Sequence, residues 1–169
     1  MKQRGFTLTE LLAAMAISAL LLGLAGPAFT RQRAQAALRS ASAQTMAALH
    51  LARRLALARG QSVTVCPSSD GQRCRFGGDR WLLFANAAGG TDSRLEAGEE
   101  LLRQWTLPAG VLVSGTRGYA AFQARPGAAA TVTFEFRHRG VPGASRSVVV
   151  SQTGRPRLMV ADFPAAAAR

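Results

Sequence analysis

Uncharged residues dominate the beginning of the chain. Residues 11–30 contain no charged side chain and follow directly on Glu10. At a rise of 1.5 Å per residue, a helix of this length spans about 30 Å, the thickness of one bilayer hydrocarbon core. The pattern therefore predicts a transmembrane helix over residues 6–30. Pro27 lies inside it and predicts a kink or a local opening of the helix.

A second helical pattern follows over residues 31–59, which are rich in the helix formers Ala, Leu, Gln and Arg. Apolar residues recur there at intervals of three, four or seven, which predicts an amphipathic continuation that packs on a sheet. These residues are Leu38, Ala41, Ala48, Leu51 and Leu55. Gly60 is predicted as the C-cap of the helix. The arginines are interpreted as a solvated face: Arg31, Arg33, Arg39, Arg53, Arg54 and Arg59.

From Gly60 onward the pattern changes to alternating polar and apolar positions and β-branched runs, which predict strands. Eight strands are predicted, at residues 61–66, 80–86, 100–107, 111–114, 119–123, 130–137, 145–152 and 157–160. Turn-forming sequences separate them, and no segment of helical period interrupts them. The predicted fold class is α+β, with the long N-terminal helix packed on an antiparallel β-sheet globular domain over residues 60–162. Residues 163–169 are predicted to be a flexible tail.

Positive charge is unevenly distributed along the chain, whose formal net charge is +12. Residues 117–169 carry eight arginines against two acidic residues, whereas residues 60–116 are nearly neutral. A local basic excess of this kind favours a polyanionic partner. A basic solubilising surface would produce the same excess, so charge alone leaves both interpretations open.

The position of Glu10 beside the apolar run needs an explanation, because a charge near hydrocarbon is costly and usually functional. The surrounding sequence, KQRGFTLTELL at residues 2–12, resembles the class III leader of type IV pilins and type II secretion pseudopilins. The resemblance implies that a prepilin peptidase removes the leader, residues 1–5, after Gly5, and that the new terminus, Phe6, is N-methylated. It also implies that the helix over residues 6–30 forms the filament core after assembly. Glu10 then acts in assembly by pairing with the α-amino group of Phe6 or of a docking subunit. A plain signal anchor would explain the apolar run but would not need Glu10.

Cys66 and Cys74 are the only cysteines and lie in the sequence CPSSDGQRC. The leader implies that this domain lies outside the cytoplasm, where disulfides persist, so a disulfide across the turn is predicted. A metal site is the alternative, but His50 and His138 lie far away along the chain, and the spacing is not that of a zinc site. No metal and no cofactor are expected. The sequence also lacks a nucleophile-elbow, metalloprotease or phosphate-loop motif, so the chain is predicted not to be an enzyme.

The sequence SVVVSQTGRPRLMV, residues 147–160, combines a valine strand with a turn and two arginines. Arg155 and Arg157 are two residues apart, so an extended chain projects both to the same side. Pro156 between them has no N–H, which predicts an edge strand or a loop. Two arginines so placed can bind successive phosphates, although an ordinary polar turn is the alternative. Five other arginines are candidates for the same patch: Arg137, Arg139 and Arg146 near it, and Arg117 and Arg125 as an extension.

A pilin leader, a C-P-x-x-D-G hairpin followed by Trp81, and a late V-V-V-S-x-T-G-R-x-R together resemble the FimT/GspH group of minor pilins and pseudopilins. In FimT-type proteins the G-R-x-R element, here Gly154, Arg155 and Arg157, is associated with binding DNA during natural transformation. The resemblance implies several partners: other pilin or pseudopilin subunits, the prepilin peptidase, the bacterial inner membrane, and double-stranded DNA bound without sequence preference.

Two functions stay open at this point. The first is a FimT-like minor pilin, held in the inner membrane by a single span with its globular domain in the periplasm, then built into a pilus that binds extracellular DNA. The second is a GspH-like pseudopilin, or a structural initiation or tip subunit, that binds no DNA. The C-terminal arginines discriminate between them, because DNA binding through phosphates is weakened by salt.

Overall fold

The computed structural model describes residues 7–125, 129 and 131–161, with the backbone alone for residues 21–28 and 161. The chain divides into two compact units, Met1–Arg33 and Ala34–Arg169. The predicted cleavage site at Gly5 and Phe6 and the predicted tail at 163–169 lie outside the described residues.

One α-helix, α1, spans Leu8–Arg59, and it continues through Pro27 without interruption. The predicted helix end is confirmed. Gly60 has a φ of +68° and donates its N–H to the carbonyl oxygen of Ala56 at 3.1 Å, which is the left-handed C-cap that glycine favours. Within the described residues, no helix is both long enough and apolar enough to cross a membrane.

Among the described residues, eight strands follow the helix: β1 (Val63–Ser68), β2 (Arg80–Ala85), β3 (Glu100–Thr106), β4 (Val111–Gly115), β5 (Ala120–Phe122), β6 (Val132–His138), β7 (Val141–Val150) and β8 (Pro156–Ala161). Every strand overlaps a predicted one, and all pairings are antiparallel. The predicted α+β class is therefore confirmed.

The strands form two four-stranded sheets, in the orders β3-β2-β1-β5 and β4-β6-β7-β8, where the sequence predicted one. The division arises at β4 and β5, which are neighbours in the chain but pair in different sheets. β5 pairs with β1, whereas β4 pairs with β6. The alternation of polar and apolar residues marks each strand but carries no information about which distant strand completes its hydrogen bonds.

The second half of α1 packs small side chains into the core of the unit that holds the sheets. The buried helix residues are Ala34, Leu38, Ala41, Ser42, Thr45, Ala48, Leu49, Ala52 and Ala56. Three residues of the predicted stripe, Leu38, Ala41 and Ala48, are among them. Leu51 and Leu55 are only partly buried, because the buried stripe runs through the adjacent positions at helical spacing.

Aromatic side chains join the two sheets beneath the helix. Trp81 on β2 lies edge-on to Phe134 of β6, with ring centroids 5.1 Å apart. It also stacks on Phe136 at 6.1 Å and on Trp105 at 5.7 Å. Trp81, Phe134 and Phe136 are fully buried, so both sheets and the helix share one hydrophobic core.

Candidate functional site

A cleft of about 660 Å³ opens between α1 and the turn that joins β7 to β8. It is lined by His50 and Arg53 from the helix and by Ser151, Thr153, Arg155, Pro156 and Arg157 from the turn and the start of β8. Both walls belong to the compact unit Ala34–Arg169. Among these described residues three are arginines and none is acidic, so the cleft is suited to an anion.

Hydrogen bonds around Ser151 hold the β7–β8 turn in one conformation. Gly154 donates its N–H to the carbonyl oxygen of Ser151 at 2.8 Å, and Ser151 donates its own N–H to the carbonyl oxygen of Arg155 at 3.2 Å. The Ser151 hydroxyl accepts the N–H of Arg155 at 3.3 Å and lies 2.8 Å from the hydroxyl of Thr153. Because both backbone polar groups of Arg155 are bound, the turn sets the direction in which its side chain leaves the backbone.

Gly154 gives the turn its required backbone conformation. Its φ is +71°, in the left-handed region that residues with a β-carbon rarely adopt. The residue is buried, and a neighbouring loop is tied to the same turn, since Ala129 donates its N–H to the carbonyl oxygen of Gln152 at 3.3 Å. The arginine-bearing turn is therefore held from within and from one side.

Arg155 and Arg157 are both exposed and alternate with buried Gly154 and Pro156, the pattern of an extended chain that projects both arginines to one side. β8 is the edge strand of its sheet, as Pro156 predicts. Among the described residues the salt bridges are Arg59–Glu100 and Arg137–Glu135, so neither Arg155 nor Arg157 is neutralised by a carboxylate there.

The helix wall of the cleft consists of His50 and Arg53, which are three residues apart and therefore share one helix face. Arg53 is half-buried and lies beside buried Leu49 and Ala52. Sequence reasoning missed both wall residues, because Arg53 was interpreted as part of a solvated face. The signal in the sequence was the three-residue spacing of His50 and Arg53 at the border of the apolar stripe. Only the packed structure shows that the β7–β8 turn lies opposite them.

The predicted disulfide between Cys66 and Cys74 is present. Within the loop that it closes, the carboxylate of Asp70 accepts the N–H of Gln72 at 2.9 Å and that of Arg73 at 2.8 Å. These bonds, the one from Arg73 above all, hold the pKa of Asp70 at about 2, below its ordinary 3.8. Among the described residues, no three His, Cys, Asp or Glu side chains lie together as the ligands of a metal would.

Glu10 takes part in a capping box at the start of α1. Its Oε2 accepts the N–H of Thr7 at 3.2 Å, and Thr7 Oγ1 accepts the N–H of Glu10 at 3.4 Å. This reciprocal pair satisfies N–H groups that lack partners within the helix. Sequence reasoning missed the box, although T-x-x-E before an apolar run is its signature. The α-amino partner predicted for Glu10, on Phe6, lies outside the described residues.

Comparisons with known proteins identify the family. A family model described as Type II transport protein GspH matches residues 41–154, which is more than half of the chain. The chain belongs to this family. A second model, the prokaryotic N-terminal methylation motif, matches residues 1–26, in agreement with the resemblance seen in the leader. The GspH match ends at Gly154, immediately before Arg155.

Solved structures of similar fold include a type IV minor pilin, FimU of Pseudomonas aeruginosa, with 21% sequence identity and a TM-score of 0.54. The alignment covers 72% of this chain and 92% of FimU. The minor pseudopilin EpsH from the type 2 secretion system of Vibrio cholerae has 17% identity and a TM-score of 0.54, over 73% of this chain and 96% of EpsH. These likenesses confirm the fold of the GspH-family chain. A search of the curated proteins finds no match.

Three arginines predicted to lie near Arg157 are placed elsewhere in this GspH-family domain. Arg137 is bound to Glu135 by two hydrogen bonds of 2.9 Å. Arg137 pairs with Ser145 of β7, and Arg157 pairs with Val149 of the same strand. Ser145 and Val149 are about 13 Å apart along β7.

Arg146 pairs opposite buried Phe136 and so belongs to the inner face of the sheet. Arg139 lies in the β6–β7 turn, at the other end of β7, where it lines a second cleft with Asp79. The structure therefore does not bring Arg137, Arg139 and Arg146 to the β7–β8 turn.

The two arginines predicted to extend the patch, Arg117 and Arg125, lie before and after β5. Arg117 lies over the ring of Tyr119, with its Cζ 5.6 Å from the ring centroid. Arg125 is exposed in the loop after β5, and the far end of that loop, at Ala129, is bonded to Gln152 of the β7–β8 turn. Arg125 is thus the one of the five additional arginines whose loop is attached to the turn.

Proposed function

We propose that this GspH-family chain is a FimT-like minor pilin that binds extracellular double-stranded DNA at the β7–β8 turn, for DNA uptake in natural transformation. The observation that carries the proposal is the exposure of Arg155 and Arg157 on one side of an edge strand, with no carboxylate neutralising either of them among the described residues. Guanidinium groups bind phosphate oxygens through two parallel hydrogen bonds, which suits them to a DNA backbone.

The same features predict the mode of binding. Contacts to phosphates carry no sequence information, so duplex DNA of any sequence binds with similar affinity. Each neutralised phosphate releases counterions, and the logarithm of the binding constant falls with the logarithm of salt concentration by about 0.9 per contact. The domain surface beyond residue 117 is basic, which favours encounter with DNA.

The proposal includes the processing and assembly implied by the leader. Cleavage after Gly5 leaves Phe6 as a methylated terminus, residues 6–30 anchor the subunit in the inner membrane, and Glu10 guides assembly with other pilin subunits. The match of residues 1–26 to the N-terminal methylation motif supports this part. In the filament the globular domain, with its arginine turn, then faces the outside of the cell.

The experiment that tests the proposal is a titration of the full chain, in nonionic detergent, into fluorescently labelled duplex DNA at several salt concentrations. The Arg155→Gln/Arg157→Gln variant is expected to lose binding. Arg73→Gln/Arg75→Gln is the matched control, because these arginines are also two residues apart and exposed, and their loss changes the net charge equally. Equal weakening by both variants would contradict a specific role of the turn.

A second candidate function is favoured by the family match, whose description is a type II transport protein. In that case the chain is a structural pseudopilin or a tip subunit that binds only other pilins. Absence of salt-sensitive DNA binding by the full chain would make this the better account, with the turn acting as an ordinary polar end of β7.

A further inference from the structure

The anion cleft has two walls, and only one of them belongs to the G-R-x-R element. The opposite wall is helical and contributes His50 and Arg53. These residues come from a part of α1 that is packed on the core, with Leu49 and Ala52 fully buried beside them. Their backbone is therefore held rigidly with respect to the β7–β8 turn.

Arg53 differs from its neighbour Arg54 in its surroundings. Arg53 is half-buried and lines the cleft, whereas Arg54 is exposed and lies outside it. Successive helix residues point about 100° apart, so only one of the two can face the turn. Among the described residues neither arginine forms a salt bridge, so Arg53 brings an uncompensated positive charge to the cleft.

We propose that Arg53 is a phosphate-binding residue and that the DNA backbone is bound between the helix and the β7–β8 turn, with His50 as a further polar contact on the helix wall. This inference rests on the proposed function and adds the helix to the binding site. A phosphate in the cleft receives hydrogen bonds from Arg53 on one side and from Arg155 or Arg157 on the other. Its position is then fixed by two rigid elements instead of by side chains on one exposed edge.

Helix attachment also distinguishes Arg53 from the other two arginines of the cleft, Arg155 and Arg157. A side chain on a packed helix loses less conformational freedom on binding than one in a loop, so its contact contributes more to affinity. Arg53 is half-buried, and a half-buried arginine usually packs its apolar stem on its neighbours while the guanidinium stays accessible.

The test compares Arg53→Gln with Arg54→Gln in the full chain, using the same labelled duplex and salt series. The two variants have the same net charge and differ only by one helix position. We expect Arg53→Gln to weaken binding about tenfold or more, as loss of a charged hydrogen bond does, and to reduce the salt slope by about 1. Arg54→Gln is expected to stay within about twofold of wild type, since Arg54 is exposed and outside the cleft, and salt weakens the effect of a charge that does not contact the phosphate.

Arg53→Lys gives a second readout, because lysine keeps the charge but lacks the two-pronged geometry of arginine. Its affinity is expected between those of wild type and Arg53→Gln. Fluorescence of Trp81 and Trp105 during urea unfolding checks that each variant keeps its fold. If Arg53→Gln does not fold, Arg53→Lys is compared with Arg54→Gln in its place.

Coupling between the walls is measured by combining Arg53→Gln with Arg155→Gln. If one phosphate contacts both residues, the double variant loses less than the product of the two single effects. Equal affinity of Arg53→Gln and Arg54→Gln, with binding still lost in Arg155→Gln/Arg157→Gln, would overturn this inference and leave the proposed function standing. Failure of the wild-type chain to bind DNA would instead overturn the proposed function itself.

Discussion

Gly154 faces the ring of Phe122 so closely that a β-carbon added at the glycine would lie 3.5 Å from Cδ1 of the ring. The two residues belong to different strand systems, since Phe122 ends β5 in one sheet and Gly154 precedes β8 in the other. The arginine-bearing turn therefore lies beside the opposite sheet. The spacing is that of ordinary van der Waals contact, so the demand for glycine comes from its φ of +71° and not from lack of room.

Gly154→Ala is expected to destabilise the domain by about 1–2 kcal/mol, the cost of holding a residue with a β-carbon in the left-handed region. It should also weaken DNA binding, because relief of the strain moves Arg155. Urea unfolding followed by tryptophan fluorescence measures the first effect and the DNA titration the second. Gly140→Ala is the control, since the φ of Gly140 is not positive. Similar losses in the two variants would show that Gly154 has no special conformational role.

Removal of the disulfide through Cys66→Ala/Cys74→Ala is expected to lower the free energy of unfolding by about 2–3 kcal/mol in the chain-entropy model for a loop of this size. The sulfur atoms lie beside buried Leu82 and Phe84, so part of the loss comes from packing. Reduction of the wild-type chain isolates the cross-link, because it removes no atoms from the core. A wild-type unfolding midpoint that is unchanged by reductant would contradict the prediction.

Asp70 makes the stability of the disulfide loop depend on acid pH. Its pKa is about 2 in the folded chain and 3.8 in the reference state, so its stabilising effect is fully present above about pH 4 and is lost as the pH falls through about 2. The difference in stability between wild type and Asp70→Asn should therefore be constant at neutral pH and shrink in that acid range. Unfolding midpoints measured along a pH series test this. A difference that does not change with pH would mean that the carboxylate charge contributes nothing.

Glu10→Gln separates the two roles of the glutamate. Glutamine also serves at the third helical position of a capping box, so the start of α1 should be retained. Filament incorporation should fall at least about tenfold, since leaving an α-amino partner unpaired in apolar surroundings costs more than the 1.4 kcal/mol that this factor represents. Immunoblots of sheared filaments against membranes measure it. Normal incorporation of Glu10→Gln, with a defect in Thr7→Ala, would assign Glu10 to the helix cap alone.

The local elements of this fold could be predicted because their causes are local. The helix ends at Gly60 where the sequence places a C-cap, and the eight strands follow alternating and β-branched runs bounded by turn residues. Pro156 correctly predicted an edge strand, because a residue without an N–H cannot serve inside a sheet. The cysteine pair was equally accessible, since eight residues of separation across a turn bring the two sulfur atoms together.

The amino-acid sequence was enough to predict the helix and strands, the leader motif and the alternation that exposes Arg155 and Arg157. The packing of segments that are distant in the chain determines which other charged residues lie near these two arginines. Arg137 is bound to Glu135, and Arg146 lies on the inner face of its sheet, although both are closer in sequence to Arg155 than Arg53 is. Arg53 lines the cleft because the packed helix lies opposite the turn that follows β7. Strand partners and helix placement arise from contacts between residues far apart in the chain, and periodicity along the chain does not encode those contacts.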